Sequence, residues 1–268
     1  MTTQLSGLVR ACHPEPAAAV TVLSTVLFIS AGNPALTCLL GALALLTGQL
    51  SIGWSNDLID ANRDLAAARS DKPLAVGDLD ATLLRRGCVL ALLVTVPASL
   101  ALGWRPGLIH LGAVAAGWTY NLGLKARWLS PLPYLVAFGA LPVIATLALP
   151  RPHWPAGWIV LAAALVGAGA HFANVLPDLT ADLAAGVRGL PQRLGRAGAS
   201  VTAAALTVAA TVVLLAARPS WPAALALVVV GTLVSAAVRS TRPAAVFYTS
   251  MLCAALNVGL LVASHALR

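Results

Sequence analysis

Residues Cys38–Asp64 read CLLGALALLTGQLSIGWSNDLIDANRD. An apolar run long enough to cross a bilayer passes without interruption into Asn56, Asp57, Asp60, Asp64. A transmembrane helix needs about 20 mainly apolar residues, and ionisable groups at its end are costly unless they serve a purpose. Asn56, Asp60 and Asp64 recur at i, i+4 and i+8, so they line one side of a helix. Asp57 lies one residue off that stripe.

The rest of the chain gives this stretch its meaning. Nine acidic residues serve 268 positions. Asp57, Asp60, Asp64, Asp71, Asp78 and Asp80 form one cluster, Asp178 and Asp182 another, and Glu15 stands apart. The hydrophobic fraction is 59%, charged residues are 10%, and mean hydropathy is +0.86. Soluble chains carry roughly 25% charged residues, so most of this surface must face lipid. Nine spans are expected, at about 16–32, 34–56, 80–103, 106–123, 131–150, 155–176, 199–217, 221–238 and 244–266. The runs are continuous and rich in Ala and Leu, which favours an all-α membrane protein over a barrel. No linker separates soluble domains, so residues 1–268 read as a single transmembrane domain. The first span, with no clear small-residue cleavage site before or after it, reads as a retained helix rather than a signal peptide.

A net charge of +8 raises nucleic acid as a partner, but the distribution excludes it. With the N-terminus inside, Arg10, Arg63, Arg69, Lys72, Arg85, Arg86, Lys125, Arg127, Arg188, Arg193, Arg196, Arg239 and Arg242 are cytoplasmic, 13 of 17 basic residues. This is the positive-inside pattern. It places both acidic clusters on the cytoplasmic face of the cytoplasmic membrane. Cys12, Cys38, Cys88 and Cys253 have no metal or redox spacing and read as small buried residues.

The motif repeats. Asn174, Asp178 and Asp182 have the spacing of Asn56, Asp60 and Asp64, and close the sixth span as the first set closes the second. The chain therefore reads as two four-helix repeats plus one helix. A basic stretch follows each copy, with Arg69 and Lys72 after the first and Arg188 and Arg193 after the second. A third cytoplasmic loop carries Tyr120, Asn121 and Lys125. Facing carboxylates beside cations suit a divalent metal with a polyphosphate. Oxygen-only donors select Mg²⁺, which binds a few carboxylates together with substrate phosphates and water. Asp60, Asp64, Asp178 and Asp182 are the expected metal ligands, with Asp57 beside them. The repeat draws Asn56 and Asn174 into the site. Lys72, Lys125, Arg69 and Arg188 would neutralise the diphosphate. Pro177 should loosen the helix before Asp178. His171 is expected to be packed rather than exposed to a cavity. Asp71, Asp78 and Asp80 read as loop or capping residues.

Asn56-Asp57-x-x-Asp60-x-x-x-Asp64 resembles the first motif of the UbiA superfamily of intramembrane prenyltransferases. Asp178-x-x-x-Asp182 followed by Gly186-Val187-Arg188 is similar to its second, and Tyr120 to Lys125 to its Tyr/Lys loop, the two lying five positions apart where four is common. The resemblance covers nearly the whole chain. It implies nine helices around a central cavity, two Mg²⁺ ions, a prenyl diphosphate as donor, and Tyr120 and Lys125 at the diphosphate. The reaction it implies is prenyl transfer to an aromatic or lipid-like acceptor. Two other outcomes keep the same site: cyclisation of the donor alone, as in membrane terpene cyclases, and phosphoribosyl transfer to a polyprenyl phosphate. Aromatics at 5% disfavour the cyclase, although Trp54, Trp118 and Trp128 keep it open. A carrier is disfavoured because the two copies have parallel topology and their acids lie on one side.

The orientation has a direct test. Alkaline phosphatase fused after Arg127 should be inactive and fused after Arg151 active; the reverse would invert the topology and put the acidic clusters outside.

Overall fold

The computed structural model describes residues 2–242 and 244–268. Among these residues every regular element is helical. A short α1 (Thr2–Ala11) precedes α2 (Pro14–Ala31), α3 (Ala35–Ala66), α4 (Ala81–Ala101) and α5 (Trp104–Asn121). A 3₁₀ turn over Leu124–Ala126 leads to α6 (Leu132–Leu147) and α7 (Gly157–Val175). The short α8 (Leu179–Ala184) precedes α9 (Leu190–Ala217), α10 (Trp221–Arg239) and α11 (Ala244–Ala263). Among the described residues nine helices have 16 residues or more, matching the expected spans to within a few residues at most ends. Seven of them are long and apolar enough to cross a membrane. The protein is a multi-pass membrane protein.

Local sequence explains where the helices start and stop. Asp80 caps α4, its side chain accepting from the Leu83 amide at 2.9 Å, which satisfies one of the orphan donors of a helix start. Pro14 and Pro191 stand in first turns, where a missing N–H is harmless. Gly195 interrupts α9 with φ 68° and ψ 178°, a left-handed setting that glycine tolerates. The lipid-crossing part of α9 therefore begins after it.

α3 is the element that places the site. Its 32 residues extend about 48 Å at 1.5 Å per residue, well beyond the ~30 Å hydrocarbon core. The apolar part ends near Ser55, and the last turns, carrying Asn56 to Asp64, stand past it.

Each helix packs against its neighbours in sequence, α2 on α3, α3 on α4, α5 on α6, α6 on α7, α7 on α9 and α9 on α10. α11 returns against α7, α9 and α2 and closes the ring. The repeat is visible in space. α3 with α4 and α7 with α9 are matching tightly packed pairs, and α2 meets α6 across the pseudo-symmetry. Their interfaces rely on small residues, as close helix approach in membranes requires. At Gly167 an added Cβ would stand 2.5 Å from Phe138 Cβ and 2.6 Å from the Tyr134 carbonyl. Gly167→Ala should therefore destabilise the protein by about 1–3 kcal/mol through overpacking. Gly112→Ala, which meets nothing within 4 Å, should melt like the wild type in detergent. Equal melting of both variants would contradict the close α6–α7 approach.

Candidate functional site

The helix ring encloses a cavity of about 360 Å³. One end is polar, lined by Asn56, Asp60, Arg63, Asp64, Arg69, Lys72, Tyr120, Lys125, Asn174, Asp178 and Asp182. The remainder is apolar, with Val20, Leu27, Leu45, Phe138, Ile159 and Leu261 among its walls.

α3 delivers the first motif as its periodicity requires. Asn56, Asp60 and Asp64 face the cavity, and Arg63 joins them from the turn between. Lys125 donates to both oxygens of Asp60, at 2.6 and 2.5 Å. Arg63 donates to the second oxygen at 2.6 Å. Asp60 is 6% exposed and Asp64 5%, so both carboxylates are largely withdrawn from water. Among the described residues the Asp64 carboxylate accepts no hydrogen bond, while its carbonyl accepts from the Arg69 amide at 3.1 Å. Asn56 donates to Asn121 Oδ1 at 3.2 Å. Asn121 in turn donates to the Ile52 carbonyl and to Ser55 Oγ, stapling α5 to α3.

Asp57 departs from expectation. It does not line the cavity. Its off-stripe position turns it towards the chain's N-terminal corner, where Lys72 donates to Oδ1 at 2.7 Å and His13 Nε2 lies 3.3 Å away. At 2% exposure this is a buried ion pair that anchors the loop after α3.

The second motif differs from the first in its backbone. α7 ends at Val175, a turn follows over Leu176–Asp178, and Asp182 stands on α8. Asn174, Asp178 and Asp182 therefore do not share one continuous helix. Pro177 accounts for the break, having no N–H for the ladder. The Asp182 amide still donates to the Asp178 carbonyl at 2.8 Å, so both carboxylates keep facing the cavity. Arg69 bridges the two motifs. Its guanidinium grips Asp71 with two bonds of 2.8 and 2.7 Å and Asp178 Oδ1 at 2.8 Å. Asp71 is thus a partner that holds Arg69 in place as well as a loop residue. Asp182 accepts from Gln192 Nε2 at 2.9 Å.

Burial shapes the electrostatics. It pushes the Asp182 carboxyl above the ordinary carboxylate range, with Gln192 acting the other way. Burial likewise pushes the Lys125 ammonium down, against the pull of Asp60. The Arg69 bonds hold Asp71 below its ordinary value.

Arg188 is a second correction. The segment after α8 is extended, Val187 and Gly189 are buried, and Arg188 between them is exposed. It does not reach the cavity; its carbonyl accepts from Arg193 Nε at 2.8 Å. The cations that do line the cavity are Arg63, Arg69, Lys72 and Lys125. Arg63 carried no signal beyond topology, yet its i+3 spacing from Asp60 was legible. His13 and Gln192 come from distant segments and had none. His171 is packed, with Nε2 3.0 Å from Ser130 Oγ, behind Tyr120 and Tyr134. Tyr120 packs edge-on to Tyr134, ring centroids 5.4 Å apart. The cavity aromatics are Tyr120, Tyr134, Phe138 and Phe247; Trp54, Trp118 and Trp128 are elsewhere. The four cysteines are free and buried. Among the described residues no three His, Cys, Asp or Glu side chains converge tightly enough to hold a metal alone.

A ring of membrane helices with two acidic motifs at the mouth of an apolar cavity defines a class, and known proteins share it. This chain belongs to the UbiA prenyltransferase family, whose profile matches residues 18–256. It is 31% identical over 190 residues to the bacteriochlorophyll synthase 33 kDa chain of Cereibacter sphaeroides, covering 66% of this chain and 61% of that protein. Among solved structures it resembles a UbiA homologue from Archaeoglobus fulgidus bound to GPP and Mg²⁺, with TM-score 0.71 and 16% identity over 96% of this chain and 99% of that one. It also resembles the apo structure of a UbiA homologue from Aeropyrum pernix K1, with TM-score 0.72 and 18% identity over 93% and 98%.

The placement of Asp57 generates a test. Removing one partner of a buried ion pair costs about 3–5 kcal/mol. Asp57→Ala should lower the melting temperature in detergent sharply, whereas Asp64→Ala, which breaks no hydrogen bond, should change it little. Equal melting would place Asp57 outside the anchor.

Proposed function

We propose that this protein is a Mg²⁺-dependent intramembrane prenyltransferase of the cytoplasmic membrane. It takes a prenyl diphosphate as donor and an aromatic or lipid-like molecule as acceptor, with the N-terminus and active site on the cytoplasmic side. The observation that carries this reading is the convergence of Asp60, Asp64, Asp178 and Asp182 with Arg63, Arg69, Lys72 and Lys125 at one end of an apolar cavity.

The donor set fits Mg²⁺. All four candidate ligands are carboxylates, and they are too far apart to cage an ion unaided. Mg²⁺ ordinarily takes one or two carboxylates and completes its shell with phosphate oxygens and water. Asp60 and Asp64 would hold one ion and Asp178 and Asp182 a second. Bound there, Mg²⁺ supplies Lewis-acid stabilisation of charge on the leaving diphosphate. Lys125, Lys72 and Arg69 bind the same diphosphate and offset its charge in a water-poor setting. Asn56 and Asn174 line the same polar end as diphosphate-binding residues, Asn174 donating to the Tyr134 hydroxyl at 3.4 Å. Tyr120 and Tyr134 line the cavity, and their rings would steady positive charge on the allylic carbon. The apolar walls exclude water and take the prenyl tail.

Support also comes from the relatives, one a bacteriochlorophyll synthase chain and one bound to GPP and Mg²⁺. Transfer is preferred to cyclisation because, among the described residues, no tryptophan lines the cavity.

The test is diphosphate release from geranyl diphosphate by detergent-purified protein, with a panel of hydroxybenzoates and quinols as acceptors. Release should require Mg²⁺ and an acceptor, vanish in Asp60→Ala, and fall roughly 10²–10³-fold in Lys125→Ala, as for loss of one donor to a developing anion. Acceptor-independent release with a cyclic product would replace the reading by a cyclase. Release indifferent to Mg²⁺ and to Asp60 would overturn it.

A further inference from the structure

Three hydrogen-bonding side chains stand deep in the apolar part of the cavity, far from the acidic end. They are Ser24 on α2, Gln49 on α3 and His110 on α5, and all three line the cavity. Ser24 is 1% exposed, and its hydroxyl has no hydrogen-bond partner. His110 is 3% exposed. Its Nδ1 lies 2.7 Å from Ser99 Oγ, which fixes the ring, while Nε2 has no protein partner among the described residues. That ring stands against Gly48, where an added Cβ would meet Nε2 and Cε1 at 3.4 Å. Gln49 is the next residue and, among the described residues, makes no side-chain hydrogen bond. Asn257, also lining the cavity, differs: it donates to the Cys253 carbonyl and accepts from Thr211.

The three groups all lie below the mouth of the cavity. At the mouth, α2, α3 and α5 are tied together, since His13 touches Asp57 and Asn56 bonds Asn121. Measured from those contacts, Ser24 lies eleven residues into α2 from His13, Gln49 seven before Asn56, and His110 eleven before Asn121. At 1.5 Å per residue they stand roughly 10–16 Å below the mouth. Buried polar groups without partners are costly, and more so where no water competes. A hydrocarbon tail covering them would leave all three unsatisfied. A ligand carrying oxygen at that depth would satisfy them.

The geometry points to a second, neutral subsite in this cavity, lined by Ser24, Gln49 and His110, that binds a hydroxyl or carbonyl oxygen of a lipid-like ligand roughly 10–16 Å from the acidic end. This rests on the donor-site reading above. The oxygen has two possible carriers, the far end of the donor's tail or the acceptor. Neither alters the chemistry the subsite recognises.

The test measures dissociation constants from ligand-dependent melting of the full chain in detergent with Mg²⁺. The ligands are farnesyl thiolodiphosphate, a non-ionising donor analogue, its counterpart with a hydroxyl on the terminal tail carbon, and a neutral long-chain hydroquinone. Each is compared between wild type, Ser24→Ala and Gln49→Leu/His110→Leu. The hydroxylated analogue or the hydroquinone should bind about tenfold more weakly to the variants than to wild type, and plain farnesyl thiolodiphosphate should bind at least as tightly. Loss confined to the hydroxylated analogue assigns the oxygen to the donor tail, and loss confined to the hydroquinone assigns it to the acceptor. If neither weakens in Ser24→Ala, the mildest change, or in the double variant, the subsite is overturned. If no thiolodiphosphate binds the wild type, the donor-site reading fails first.

Discussion

Asp60 is a largely buried carboxylate held at once by Lys125 and Arg63. Much of the polar end of the cavity is organised by that need for counter-charge. Burying a carboxylate near the hydrocarbon boundary is costly, and a paired cation offsets much of that cost. Arg63 comes from the same helix, one turn on, and Lys125 from the turn between α5 and α6. Satisfying Asp60 therefore fixes the turn between α5 and α6 against the end of α3. The same constraint recurs at Asp57, where Lys72 ties the loop after α3 to the N-terminal corner. It recurs again at Asp178, where Arg69 ties that loop to the second motif. Three ion pairs knit three loops over one cavity.

Helix length decides where this charge can sit. α3 outruns the hydrocarbon core, so its polar last turns emerge while still helical. α7 is only 19 residues long and is closed by Pro177, so its copy of the motif is completed by a turn and a short helix. The two repeats thus present carboxylates to one space by different backbone routes. That asymmetry lets Asp60 and Asp64 stand withdrawn while Asp178, with a side chain 49% exposed, stands at the rim. For the proposed reaction it separates a buried pair of ligands from a more accessible pair.

Family membership and the solved relatives agree on the fold, at identities of 16 and 18% where only the fold is informative. The cavity cations include Arg63 in place of the expected Arg188. The cavity wall carries three neutral polar groups in a region otherwise suited to hydrocarbon.

The sequence by itself determined that this is an all-helical membrane protein with two acidic motifs. Composition, span length and residue spacing are local properties, and helical periodicity converts them directly into faces. Asn56, Asp60 and Asp64 could be aligned without coordinates for that reason, as could the capping role of Asp80 and the weakening effect of Pro177. Only the tertiary structure decided which charges meet. Asp57 pairs with Lys72 and His13, Arg188 turns outward, and Ser24, Gln49 and His110 line one cavity, because loop paths and helix register bring together residues far apart in the chain. Side-chain direction in an extended loop, and contact between helices dozens of residues apart, are not encoded in any local pattern.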